Sequence, residues 1–259
     1  MLLRWACAWS VALALAAPAG AAGTSSGVKV VAKGACVVQG GIRAQDGTPA
    51  KAWDMWQEIF LTSWPTWLQA HTHHGAECIM NVYGLTGWWF AHGGAAPTSP
   101  PTTVPVAFGG TVYTVQGREH TGGNIAARMQ AYLGIHLLEQ GSLFNYPVAD
   151  PSAPPLVKTI PLSVFKNEFQ NQVPSDGTVT IANQMIELRP GATFTVDPSP
   201  ALGYYTFVGG SGTLALGGKP ATPIVPGTTY PVGRNLRATF IATMPSLLVA
   251  TELVPGAHP

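Results

Sequence analysis

Apolar residues in this chain come in short runs, and almost every run is closed by glycine, proline, threonine or asparagine. Short runs rich in valine, isoleucine, threonine and aromatics read as strands, because a helix needs a longer stretch with its apolar positions three and four apart. The pattern predicts strands over residues 28–38, 77–83, 87–92, 104–108, 111–115 and 129–138. Further along it predicts them over 178–188, 193–196, 203–208, 212–216 and 236–253. Residues 42–52 read as loop, 53–64 return to apolar and aromatic positions, and 164–171 read as one short helix.

Composition supports a β-rich reading: Gly at 30 and Pro at 23 of 259 residues supply many turns, and with 46% of residues hydrophobic the chain can bury a substantial core. That length suits two domains. The break between them is expected at residues 147–155, where Pro147, Pro151, Pro154 and Pro155 exclude a regular ladder or helix. One domain is then expected over 28–146 and a second over 156–256.

Charge narrows the partners. Lys plus Arg number 13 against 12 Asp plus Glu, and only 10% of residues are charged, so no strong field attracts nucleic acid or anionic lipid. Residues 1–22 read as a secretory signal: Arg4 gives a positive start, Trp5 to Ala17 an apolar stretch too short to span a bilayer, and Ala19, Ala21 and Ala22 the small residues of a cleavage site. No later stretch is long and apolar enough to cross as a helix, so the mature chain is expected in the secreted or periplasmic space without a membrane anchor. Cys36 and Cys78 are then its only thiols. A bridge and a pair of buried thiols both remain open, and a bridge requires Cα atoms within about 7 Å.

The chemistry concentrates in His71-Thr72-His73-His74-Gly75-Ala76-Glu77. Residues two apart on a strand share a face, so His71 and His73 point one way and His74 the other. Gly75 allows a bend that returns Glu77 to the face of the two histidines. Two imidazoles and a carboxylate with open positions suit a catalytic divalent metal. A second segment, 109–124, carries Gly109, Gly117, His120 and Asn124, with His120 as fourth ligand from a neighbouring strand. His92 and His136, single histidines in apolar strands, read as packed core residues. Trp88, Trp89 and Phe90 read mainly as core, Arg118, Glu119 and Arg128 as surface, and Asn124 as a turn residue.

These two segments resemble the paired motifs of the cupin superfamily. The first, G-x5-H-x-H-x3-E-x6-G, is met by His71, His73, Glu77 and Gly84, with Pro65 at the leading glycine. The second, G-x5-P-x-G-x2-H-x3-N, is met by Gly109, Gly117, His120 and Asn124, with Val115 in place of proline. The resemblance implies an all-β fold of two antiparallel jelly-roll barrels in tandem, with a metal inside the first. In the second half, Arg189-Pro190-Gly191 and Pro231-Val232-Gly233 resemble the motif openings, and counting from them puts Asp197, Ser199, Gly203 and Leu236 at the four ligand positions. That set is not expected to hold any divalent metal, so the second barrel is read as a partner of the first or as enclosing a metal-free pocket.

The resemblance implies one divalent transition metal per chain, with Fe or Mn favoured over Ni, Cu or Zn, held by His71, His73, Glu77 and His120. It implies a metal-dependent oxidoreductase of dioxygenase or oxalate-oxidising type acting on a small organic molecule. A non-redox isomerase or lyase, and a binding module without turnover, stay open, because the barrel hosts many chemistries. No general base is identified, and homo-oligomerisation is also left open.

Overall fold

The computed structural model describes residues 21–22, 26–39, 43–44, 46–50, 53–62, 66–67, 71–72, 75–83, 86–89, 104–114, 121–124, 130–139, 146–147, 166–168 and 177–256. Among these, every regular element is a β-strand. In chain order they are β1 (Ala21–Ala22), β2 (Val28–Val38), β3 (Trp53–Thr62), β4 (Thr66–Trp67), β5 (His71–Thr72), β6 (Gly75–Tyr83) and β7 (Thr86–Trp89). Then come β8 (Val104–Val106), β9 (Thr111–Thr114), β10 (Thr121–Asn124), β11 (Gln130–Glu139), β12 (Tyr146–Pro147), β13 (Lys166–Glu168) and β14 (Val179–Leu188). Last are β15 (Thr193–Val196), β16 (Leu202–Gly209), β17 (Gly212–Leu216), β18 (Thr222–Pro223), β19 (Thr229–Val232), β20 (Ala238–Ala242) and β21 (Ser246–Pro255).

Two five-stranded antiparallel sheets form the centre, in the orders β13-β3-β11-β6-β9 and β19-β16-β21-β14-β2. They share one apolar cluster: Met55, Cys78, Met80, Leu133, Ile135 and Leu137 from the first meet Cys36, Ile181, Met185, Tyr204, Val249 and Leu253 from the second. The second sheet's other face packs with β15, β17 and β20 around Phe194, Tyr205, Phe207 and Phe240, whose ring centroids lie 5.4 to 6.3 Å apart. Both faces of β6 and of β16 are buried, which is why these strands read as apolar runs rather than alternating ones.

Each central sheet takes one edge strand from across the Pro-rich segment 147–155. β2 pairs with β14, with Cys36 opposite Ile181, while β13 pairs with β3, with Lys166 opposite Trp56. Residues 166–168 correct the helix expected over 164–171: the open edge of β3 offers a ladder, and three residues of pairing override a weak local preference. The run 236–253 is likewise two strands, broken at Thr243 to Pro245, where the Thr243 N–H turns to the Ser211 carbonyl at 2.8 Å. Of the Pro-rich segment, Pro147 pairs with His71, and 148–155 lie outside the described residues. The expected signal also lies outside them up to residue 20, while Ala21 and Ala22 pair with Val196 and Thr195.

Cys36 and Cys78 are joined in a disulfide with Cα atoms 5.8 Å apart, tying β2 to β6 across the central interface. Beside it runs a buried polar seam. Gln57 Nε2 donates to Thr251 Oγ1 at 3.0 Å, Thr206 Oγ1 donates to Gln57 Oε1 at 2.6 Å, and Thr251 Oγ1 donates to Asn183 Oδ1 at 2.9 Å. Gln57 thus fixes the register of one sheet on the other, because any sliding would strand a buried amide.

Candidate metal centre

Alternation along β6 separates two tasks. Ala76, Cys78, Met80 and Val82 face the central interface, so Glu77, Ile79 and Asn81 face the interior of the first barrel. Glu77 is 3% exposed and Asn81 fully buried. From the adjacent β11, Tyr132, His136 and Leu138 turn to the same side and are each 1% exposed or less. A carboxylate this deep is costly unless it meets a charge, a metal or strong donors. The imidazole of His136, its cross-strand partner, lies beside it with Nε2 at 3.6 Å from Oε1.

The conformation of the motif rests on Gly75 in a way other than expected. It does not adopt a left-handed bend; rather, β11 passes so close that a Cβ there would sit 1.9 Å from the Leu137 carbonyl oxygen. Only glycine lets β6 start its ladder on β11 two residues before Glu77.

The remaining expected ligands are placed by backbone alone or not at all. His71 lies in β5, and its side chain, together with His73 and His120, lies outside the described residues. The topology nonetheless draws their segments together. β4, which ends four residues before His71, pairs with β10, which starts one residue after His120, and β9 puts Thr114 beside Glu77. Among the described residues no three His, Cys, Asp or Glu side chains gather as a ligand group. What the described part contributes is a buried carboxylate with a buried imidazole beside it. His92, Phe90, Arg118, Glu119 and Arg128 also lie outside the described residues, as do the side chains of Trp88, Trp89 and Asn124.

His136 is the residue that sequence reasoning undervalued. A repeat signal could have found it: His136 stands sixteen residues after His120, and Glu252 stands sixteen after Leu236, the corresponding position of the second repeat. The strand registers agree, pairing His136 with Glu77 and Glu252 with Gly203. Asp197, Ser199, Gly203 and Leu236, the four positions reached by counting along the second repeat, all line one small pocket of about 10 Å3 that is partly open to solvent. The Asn235 N–H, on a residue with φ of 59°, donates to the Ser199 carbonyl at 2.7 Å and ties the two loops of that repeat together.

No family model matches the sequence, and no curated protein matches it. Solved structures do. The chain is similar to the vicilin from Solanum melongena, with a TM-score of 0.55 and 10% identity over 89% of this chain and 82% of that one. An oxalate decarboxylase structure gives 0.53 and 12% over 91% and 78%. A mutant of the Bacillus subtilis oxalate decarboxylase gives 0.52 and 13% over 90% and 78%. Identities this low carry the fold and not the activity. Because each match spans about nine-tenths of the chain, it covers both barrels, and the fold is that of the tandem cupin proteins.

Proposed function

We propose that the first barrel holds one divalent transition metal through His71, His73, Glu77 and His120, and that the protein is an exported metal-dependent oxidoreductase acting on a small organic molecule. The observation that carries this reading is Glu77: a motif carboxylate, 3% exposed, turned into the barrel of a cupin fold and aligned with an imidazole. The bound metal, Fe or Mn by preference, would supply redox and Lewis-acid chemistry at its open positions. The chain's own part is to hold Glu77 in one orientation through His136 and to keep water out with Ile79, Tyr132 and Leu138. An oxalate decarboxylase among the similar structures agrees with a small acid as substrate.

A second reading, a binding module without turnover, draws on the vicilin, which is described with different anionic ligands in structurally similar pockets. One experiment separates them. The purified mature protein is loaded anaerobically with Fe(II) or Mn(II), analysed for metal, and screened for oxygen uptake and product with small dicarboxylic and phenolic acids. We expect about one metal per chain, lost on His73→Ala with the second barrel still folded. Equal metal in that variant would show the ligand set to be wrong. Tight acid binding with neither oxygen uptake nor product would favour the second reading, and product without oxygen uptake would favour a lyase or isomerase.

A further inference from the structure

The second barrel presents a pocket at the positions that count as its motif, lined by Asp197, Ser199, Gly203 and Leu236 among others. The Gly203 position leaves out the side chain that Glu77 supplies in the first repeat, and the Tyr205 ring fills the gap: a Cβ at residue 203 would lie 2.4 Å from Tyr205 Cε2. The Tyr205 hydroxyl donates to Glu252 Oε1 at 2.7 Å, in a residue that is 8% exposed. The other oxygen, Oε2, is buried and has no hydrogen-bond partner. Glu252 lines the pocket together with Asp197, Ser199 and Tyr205, and the rest of the lining is apolar or glycine, with no lysine, arginine or histidine. The free room takes about one water-sized occupant.

We propose that this pocket binds a small hard cation, with the Glu252 and Asp197 carboxylates as its charged ligands and the Ser199 hydroxyl as a further oxygen donor. The lining decides the ligand class. Oxygen donors without nitrogen or sulfur select hard ions over the transition metals proposed for the first barrel. An anion would meet two carboxyl groups and no cationic side chain. Asp197 is ion-paired with Arg237 at 3.0 Å, but that guanidinium is 64% exposed, and a pair so open to water is worth about 0–1 kcal/mol, little enough for an ion to displace. Arg234, in the turn nearby, is not among the lining residues. Burial raises the Glu252 carboxyl above the ordinary carboxylate range, an effect that the Tyr205 hydrogen bond partly offsets. The ion would meet Glu252 through Oε2, the buried oxygen that Tyr205 leaves free, and any proton held there leaves to solvent.

Terbium(III), a hard ion whose emission is sensitised by a nearby phenol or indole, is the probe. It is titrated into metal-free full-length protein, excited through the aromatic residues and competed with Ca2+. We expect sensitised emission, and binding about tenfold weaker in Glu252→Gln and in Asp197→Asn, both checked for unchanged melting in metal-free buffer at pH 5. Glu77→Gln should leave the emission unchanged. Absence of emission, or emission equal in all the second-barrel variants, would overturn the proposal and leave water as the occupant. Emission lost in Glu77→Gln alone would place the ion in the first barrel and overturn it as well.

Discussion

Gly75→Ala adds one carbon, and its effect can be worked from the backbone. The new Cβ would sit 1.9 Å from the Leu137 carbonyl oxygen, 2.7 Å from its carbon and 2.8 Å from Leu138 Cα. A relaxed carbon–oxygen contact is about 3.5 Å, so the strands must part by more than an ångström. All three obstacles are main chain, and no rotamer change relieves them. Overpacking of this kind costs about 1–3 kcal/mol, and the immovable neighbours put the cost at the upper end. Replacing glycine also narrows the unfolded ensemble, which returns about 0.4–1 kcal/mol. The net expectation is destabilisation of about 2 kcal/mol, or about 4–8 °C in Tm for a chain of this size. Because Gly75 opens the strand that carries Glu77, metal retention should fall with stability. Calorimetry of the metal-free variant together with metal content after reconstitution checks both. A variant within about 0.5 kcal/mol of the parent, retaining its metal, would refute the claim that close passage of β11 demands glycine here.

Three further outcomes test separate parts of the structure. The Cys36–Cys78 bridge closes 42 residues of chain, so the double serine variant should lose about 2–4 kcal/mol in denaturant unfolding; an unchanged midpoint would mean that β2 is held by its ladder alone. Gln57→Leu removes the acceptor of Thr206 and the donor to Thr251 and should cost about 1–3 kcal/mol, of which Thr206→Val in the same chain recovers a part; strictly additive losses would show that the seam is not coupled. Glu252 bears on pH. Its carboxyl is raised by burial, an effect partly offset by the Tyr205 hydrogen bond, so between the unfolded and folded pKa values the folded chain binds more proton than the unfolded chain. Its contribution is therefore intact below the ordinary carboxylate pKa of about 4.3 and is lost as pH rises through the elevated folded value. In metal-free buffer the stability of Glu252→Gln relative to the parent should rise from about pH 4 to pH 8, and a difference independent of pH would contradict the assignment.

The strands were legible where a run of apolar residues had to be strand for its length. The predicted 28–38, 193–196 and 212–216 coincide with β2, β15 and β17. Pairing was not legible, because a ladder is chosen by what lies alongside. Nothing local in residues 28–38 says that they join β14 across a gap of 140 residues, and nothing in Lys166 to Glu168 says that they extend β3. Of the candidate centre, the motif spacing identified Glu77 as an interior residue, and the structure buries it. It could not identify His136, because a histidine inside Tyr132 to Leu138 looks like packing until the register sets it opposite Glu77.

The two repeats show how one backbone yields unlike sites. In each, the motif glutamate position on one strand faces a titratable residue on the barrel's last long strand: Glu77 faces His136, and Gly203 faces Glu252. Glycine at 203 leaves a space that the Tyr205 ring occupies, and that ring supplies the hydroxyl that donates to Glu252. The changes are therefore coupled. A glutamate at 203 would collide with Tyr205, and removing the Tyr205 hydroxyl would leave both oxygens of Glu252 unsatisfied, so no single substitution leads back to the ligand set of the first barrel. The same registers thus place a carboxylate and an imidazole side by side in one repeat and a tyrosine hydroxyl on a buried carboxyl in the other.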